Sequence, residues 1–520
     1  MVIRKIFQYS CVFFLFLVLS LNGLTRAEAE DSPKYGGILK FGNMMVTSTW
    51  GDPLKLRHLD TVYSQMVLEW LVLPSPKSGQ LQPNLATSWE LVPDKSYYDI
   101  HLRKGVKFHD GTDFNAQAVK WNLDRALKSK RQEFEKVTSI DVIDDYTVRL
   151  NLSVWDNRIL NDLWHDAALI ISPTAFEKNG ADWAATHPVG TGPYQFKDYK
   201  AKQYIKVEKF DGYWDKDLPY LDGIECIQIP DPMTFMAAMK RGDINGTFGM
   251  NLVTVMQLEK TGKYNILVRN GIPLSKALTF NSTSPDSPWS DKRMRQALEY
   301  AIDKEKIVNS LSQGYYKPIY DLILGIREAG GHPNVVPRRY NPEKAKELMA
   351  EAGYPNGLKV ELRSSIYQKR EHGNYLLAVQ EDLSKVGIDL KLTYLDDATA
   401  AQESFRPPEG SVLRFETIRG DLFSPAEGVL QSLSEKTIYL PGLKRPAGFQ
   451  SLFEQSLLEE NPEKSMELLV KMEEMAAEDA MYIPLYMAPM FSIFDKSVHN
   501  IAITHRETPN TQMGAAWLSK

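Results

Sequence analysis

The sequence predicts an α/β protein of at least two lobes, and three observations carry that prediction. The chain has 520 residues, more than one ordinary core accommodates. Hydrophobic residues make up 43% and charged residues 24%, the balance of a globular chain and not of a disordered one. Helix signals alternate with strand signals, often through a glycine, and no internal repeat interrupts them. The formal net charge of -5 argues against a polyanion binder, which would carry a basic patch. Two cysteines are too few for a disulfide framework.

The elements follow in chain order. Arg4 and Lys5 precede the apolar run Cys11–Leu19, which Asn22-Gly23 breaks, and Ala27-Glu28-Ala29 has the small-x-small pattern of a signal-peptidase site. A spanning helix needs roughly 20 apolar residues, so residues 1–29 read as a cleaved signal peptide. Removing them leaves Cys226 as a lone thiol, expected to be buried and inert. Asn115 is placed to cap a helix whose apolar face is Val119, Leu123, Ala126 and Leu127. Asp291 opens a helix with Met294, Leu298, Ala301 and Ile302 inward, and Asp303 opens another with Ile307, Val308 and Leu311. Asn341-Pro342 and Asn461-Pro462 each join a cap to a proline at the first helical position. The first leads Ala345, Leu348 and Met349; the second leads Met466, Leu469, Met472 and Met475, a spacing that reads as core packing. Strands are expected at Thr147–Leu152, Tyr204–Glu208 and Ile388–Tyr394, where apolar and polar residues alternate. Pro/Gly clusters at Leu73–Gly79, His187–Pro193 and Asn281–Trp289 mark where the chain changes lobe.

Catalytic motifs are absent. Nine histidines are scattered without metal-ligand spacing, and there is no nucleophile elbow, phosphate loop or dinucleotide fingerprint. Gly105–Gly111 (GVKFHDG) has the wrong interior for cradling an anion and reads as a turn, as does Asp144-Asp145. No cofactor and no metal are expected, and the weight moves from catalysis to binding.

The segment from Asn84, NLATSWELVPDKSYYDIHLRKGVKFHDG, followed by TDFNAQAVKWNLDRAL, resembles the signature of the extracellular solute-binding protein family 5. KYGGILKFG at Lys34, VGTGPYQFKDY at Val189, FDGYWDKDLPYLDGI at Phe210 and FNSTSPDSPWSDKRMRQALEYAIDKEKI at Phe280 extend the match. YNPEKAKELMAEAGYPNG at Tyr340 and VGIDLKLTYLD at Val386 carry it to most of the chain. The resemblance implies a two-lobed, type II-like periplasmic binding-protein fold with a subdomain inserted in the first lobe. Lobe I would comprise residues 30–72, 187–280 and 488–520, the insert 73–186 and lobe II 281–487. Trp89, Leu102, Val106 and Phe108 would build the insert's core, Arg103 and Lys104 would be solvated or structural, and Gly190–Pro193 would mark re-entry into lobe I.

The resemblance also implies a function: a periplasmic receptor of an ABC importer, monomeric, that binds a small solute between its lobes and delivers it to a membrane permease. Short peptides lead as ligand; sugars, cationic amines and chelated nickel stay open. In peptide-binding members a Gly-Asp step supplies a carboxylate for the ligand ammonium, here Asp421, with a surface turn as the alternative reading. Arg57 and His58, after Asp52-Pro53, are implied on the cleft wall, where the Arg57 guanidinium suits a carboxylate or a surface ion pair equally. Asp397 and Arg419 follow by position. An exported hydrolase, or a sensory or chaperone-like binder, is the reading of another class; the former would need a converging nucleophile and base.

Overall fold

The structure is a computed structural model that describes residues 32–43, 46–56, 60–75, 80–92, 94–321, 335–419, 425–435, 437, 440–501 and 511–519. The chain starts in β1 (Ile38–Asn43), then forms the hairpin β2 (Val72–Pro74) and β3 (Leu81–Pro83). Four antiparallel strands follow: β4 (Ala86–Leu91), β5 (Tyr97–Leu102), β6 (Val137–Asp144) and β7 (Thr147–Leu152), ordered β4-β5-β7-β6. The strands that join β1 are β8 (Tyr194–Lys200), β9 (Tyr204–Lys209), β10 (Gly223–Gln228), β11 (Gly246–Met250), β12 (Tyr264–Thr279) and β13 (Lys317–Pro318), then β14 (Leu358–Ser365), β15 (Ile388–Leu395), β16 (Leu413–Arg419) and β17 (Ile483–Asp495), while β18 (Val498–His499) and β19 (Trp517–Leu518) pair separately. With β1 the former make one mixed sheet, β15-β14-β16-β12-β17-β11-β1-β10-β9-β8, with β13 beside β17.

Two strands tie the halves of this sheet together. The first half of β12 (Tyr264–Arg269) pairs antiparallel with Met490–Asp495 of β17, next to β11; the second half (Leu274–Thr279) pairs with Ile483–Ala488 and with β16. The register shifts between Arg269 and Leu274, where the strands pass from one half to the other. Separate cores lie on either side. One runs from Leu39 to Ile224 and closes on Phe494–Leu518; the other runs from Ala277 to Ala488; a small third core, Phe235–Ile493, flanks the crossing.

The expected caps form. Asn115 Oδ1 accepts the Ala118 N–H (3.0 Å) at the start of the helix Ala116–Lys128, with Val119, Leu123 and Ala126 buried. Asp291, Asp303, Asn341 and Asn461 each accept backbone N–H groups at the starts of Lys292–Tyr300, Lys304–Ser312, Pro342–Glu351 and Pro462–Glu478. Leu311 departs from expectation: it is 38% exposed, in the last turn before the chain reverses at Gln313 (φ 49°). Cys226 is buried in β10, and desolvation pushes its thiol up.

Leu102, Val106 and Phe108 are buried beneath the four-stranded sheet, with Trp89 packed at their edge, and this core runs on into that of β1 and β10. The return segment Gly190–Pro193 is held from three sides. A Cβ on Gly190 would sit 2.2 Å from the Val67 carbonyl oxygen, so only glycine fits. The half-buried His109 ring donates from Nε2 to the Gly192 carbonyl (2.9 Å) and accepts from the Gly190 N–H at Nδ1 (3.3 Å), which fixes its neutral tautomer. Thr191 donates to Glu69 (2.8 Å), which also accepts from Tyr213 (3.0 Å) and Trp214 (3.1 Å). Arg103 stacks 4.1 Å over the Trp214 ring and donates to the Asn84 carbonyl, a structural role. The four-stranded region also touches the second core: Asn157 donates to the carbonyls of Leu457 (2.9 Å) and Ser456 (2.7 Å), and Lys95 pairs with Glu460.

Burial raises the Glu69 carboxyl to about 7 and lowers the His109 imidazole to about 4. The signs differ. A carboxyl raised by folding stabilises most below its ordinary pKa near 4.5, and that contribution fades as pH rises through 7. A depressed histidine contributes fully above 6.5 and loses its share as pH falls toward 4. Urea midpoints followed from pH 5 to 8 should therefore fall less steeply for Glu69→Gln than for the parent; parallel curves would mean that Glu69 is already ionised in the fold.

Candidate functional site

Strands β15, β14 and β16 run parallel, and ligands of such sheets bind outside the carboxyl ends of the strands. Here β14 passes straight into the helix Ile366–Ser384, capped by Ser365, while β15 passes into Asp397–Glu403, capped by Asp396. A cavity of about 210 Å³ opens where they end. Its lining includes Arg363, Arg414 and Glu416 from the strands, Gln368 from the first helix, and Asp397 and Glu403 from the second. β16 continues beyond the cavity to Arg419, whose backbone partner Leu274 lies at the interlobe crossing. One strand therefore links the cavity to the place where the two halves meet.

The strand pattern sorts its charges. Arg363 and Arg414 are register partners and share a face, and Glu416 follows on that face two residues later. Arg363 pairs with Glu361 (3.2 Å) and Glu403 (3.4 Å), tying the helix Asp397–Glu403 to the sheet. Arg414 donates from Nη1 to the Arg406 carbonyl (2.6 Å). Desolvation raises the Glu416 carboxyl to about 7, against the pull of Arg414 and then Lys276. Behind it, the buried Lys276 donates to Thr417 (2.6 Å) and Gln368 (3.3 Å), both neutral acceptors. His372 is buried nearby, bonded to the Tyr486 hydroxyl (2.8 Å), and burial pushes its pKa well down.

Of the residues implied by the sequence, Asp397 lies at this cavity, exposed, its Oδ1 accepting the Tyr367 N–H (3.0 Å). Arg419 is described only in its backbone, at the end of β16. Arg57, His58 and Asp421 lie outside the described residues. Asp52, which precedes the Arg57 segment, caps Pro53–Lys55 and pairs through both oxygens with Arg125 (3.0 Å). Sequence reasoning missed Lys276, Arg363, Arg414 and Glu416. The signal was present in LRFETI, where an arginine and a glutamate alternate with apolar residues in a strand of an otherwise buried sheet.

Residues 80–414, well over half of the chain, match the family model of bacterial extracellular solute-binding proteins, family 5. The chain is a family 5 solute-binding protein. Among curated relatives, the glutathione-binding protein GsiB of Shigella flexneri serotype 5b is 31% identical over 434 residues, 81% of this chain and 84% of the relative. GsiB of Pectobacterium atrosepticum is 35% identical over 331 residues, 61% of this chain and 62% of the relative. Among solved structures, the periplasmic binding protein DppA of Helicobacter pylori, in complex with the peptide STSA, superposes with a TM-score of 0.76 at 24% identity, covering 94% of this chain and 99% of that one. Family 5 proteins share the two-lobed binding-protein fold with this chain, and the two halves joined by β12 and β17 are its lobes. The family 5 protein is a binding protein and not an enzyme, and it acts outside the cytoplasm. Among the described residues no helix is long and apolar enough to cross a membrane.

Proposed function

We propose that this protein is the periplasmic receptor of an ABC importer and that it takes a short peptide of the glutathione kind between its lobes. The polar cavity at the carboxyl ends of β14 and β15, linked to the interlobe crossing by β16, carries the reading. The GsiB likeness supplies the ligand class. Lobe I would be residues 30–72, 187–280 and 488–520, with 73–186 inserted and 281–487 as lobe II. Asp421, two residues after β16 in the sequence, would hold the ligand ammonium, with Arg419, Arg57, His58 and Asp397 as its partners in the cleft. The lobes would close by bending at β12 and β17, a hinge motion general to periplasmic binding proteins. The closed monomer would then dock on its permease.

Calorimetry with reduced glutathione and trialanine tests the reading. At least one should bind saturably, raise the melting temperature through preferential binding to the folded state, and be recovered unchanged. Repeated conversion of the ligand to product would remove the receptor role, and silence toward both peptides would remove the peptide class. Residues 1–29 are assigned as the signal peptide, so N-terminal sequencing of periplasmic material should begin at Glu30; Met1 retained on membrane-bound protein would overturn both processing and location.

A further inference from the structure

Two oppositely charged side chains of the cavity, Arg414 and Glu416, feel each other's charge but make no direct ion pair with each other or with any other described residue. Arg414 is 8% exposed; apart from the Arg406 carbonyl on Nη1 its guanidinium has no acceptor among the described residues, and its buried Nε has none at all. Glu416 accepts no hydrogen bond and joins no ion pair among the described residues. Glu416 is half-buried and Arg414 buried, and charges withdrawn from water are ordinarily paired, because desolvation without a partner is strongly unfavourable. The neighbouring charges are already committed: Arg363 to Glu361 and Glu403, Asp397 to the Tyr367 N–H, and Lys276 to Thr417 and Gln368. None of them makes an ion pair or hydrogen bond with Arg414 or Glu416 among the described residues. As residues two apart on one strand face, the two have Cα atoms roughly 6.5–7 Å apart.

A lone anion would satisfy Arg414 and be repelled by Glu416; a lone cation would do the reverse. A group bearing both signs within that span satisfies both. We propose that the cavity receives the zwitterionic α-amino-acid end of the ligand, its ammonium on Glu416 and its carboxylate on Arg414. At about 210 Å³ the cavity is smaller than the roughly 300–1,000 Å³ that holds a whole drug-sized ligand, which fits one end of a longer molecule. In an α-linked peptide the free ammonium and free terminal carboxylate sit on different residues. A γ-glutamyl peptide keeps both on one carbon. The inference rests on the peptide reading above and narrows it to γ-linked peptides.

γ-Glutamylalanine and α-glutamylalanine are isomers with the same charges, so comparing them isolates the linkage. Calorimetry at pH 8 should show the γ isomer binding at least tenfold tighter than the α isomer to the unaltered protein. Glu416→Gln and Arg414→Lys, each checked by circular dichroism for an unchanged fold, should each shrink that preference to within about threefold. Equal binding of the isomers, or a preference that survives both substitutions, would overturn the slot while leaving the peptide reading in place. If neither isomer, nor glutathione, nor trialanine binds, the peptide reading falls and the slot with it.

Discussion

Replacing Arg295 with methionine is expected to destabilise the second lobe by about 3–5 kcal/mol, the typical penalty for removing one partner of a buried charged network. Arg295 is 2% exposed and serves several acceptors at once. Its Nε reaches the Asp479 carbonyl (3.1 Å), its Nη1 the Trp289 carbonyl (2.9 Å), and its Nη2 the Asp479 carboxylate (2.6 Å). The helix Lys292–Tyr300 is thereby bound to the end of Pro462–Glu478. Methionine matches the stem in length and leaves those oxygens without donors. Lysine keeps the charge but lacks the planar fork, so Arg295→Lys should fall between the two. Urea unfolding followed by circular dichroism measures the loss, and a change below about 1 kcal/mol for Arg295→Met would show that water replaces the guanidinium.

Asp421→Asn is expected to weaken binding of a free-amine peptide by roughly 2–5 kcal/mol, about 30-fold to several-thousand-fold. The substitution keeps the side chain's shape and removes the charge, so it reports electrostatics apart from packing. N-acetylated peptides should lose far less, since they offer no ammonium. An ammonium carries three N–H donors, so if Asp421 and Glu416 serve one such group, their substitutions will be non-additive, and additive losses would assign them to separate groups. An unchanged dissociation constant for Asp421→Asn with a confirmed amine ligand would return Asp421 to a surface turn and leave the ammonium to Glu416.

The sequence by itself determined what depends on neighbouring residues. Asn115, Asp291, Asp303, Asn341 and Asn461 cap their helices because a short side-chain acceptor needs only the backbone N–H groups two or three residues ahead. Alternation at Tyr204–Glu208 and Ile388–Tyr394 marked strands because period two is a local property of the pleat. The family was legible for the same reason, in ordered blocks of contiguous residues.

Only the tertiary structure decided which distant residues meet. The halves are joined through β12 and β17, more than two hundred residues apart, and no local pattern specifies that pairing or the register shift at its centre. Lys276 reaches Gln368 and Thr417 across ninety and more residues. In the sequence Arg414 and Glu416 are two charges in a strand, as ordinary as any on a solvated face. Parallel pairing with β14 and the crossover helices place them beside a cavity, where burial lifts the Glu416 carboxyl to about 7 and leaves Arg414 short of an acceptor. A charge's meaning depends on the dielectric around it and on the partners within reach, and both are set by how remote segments pack.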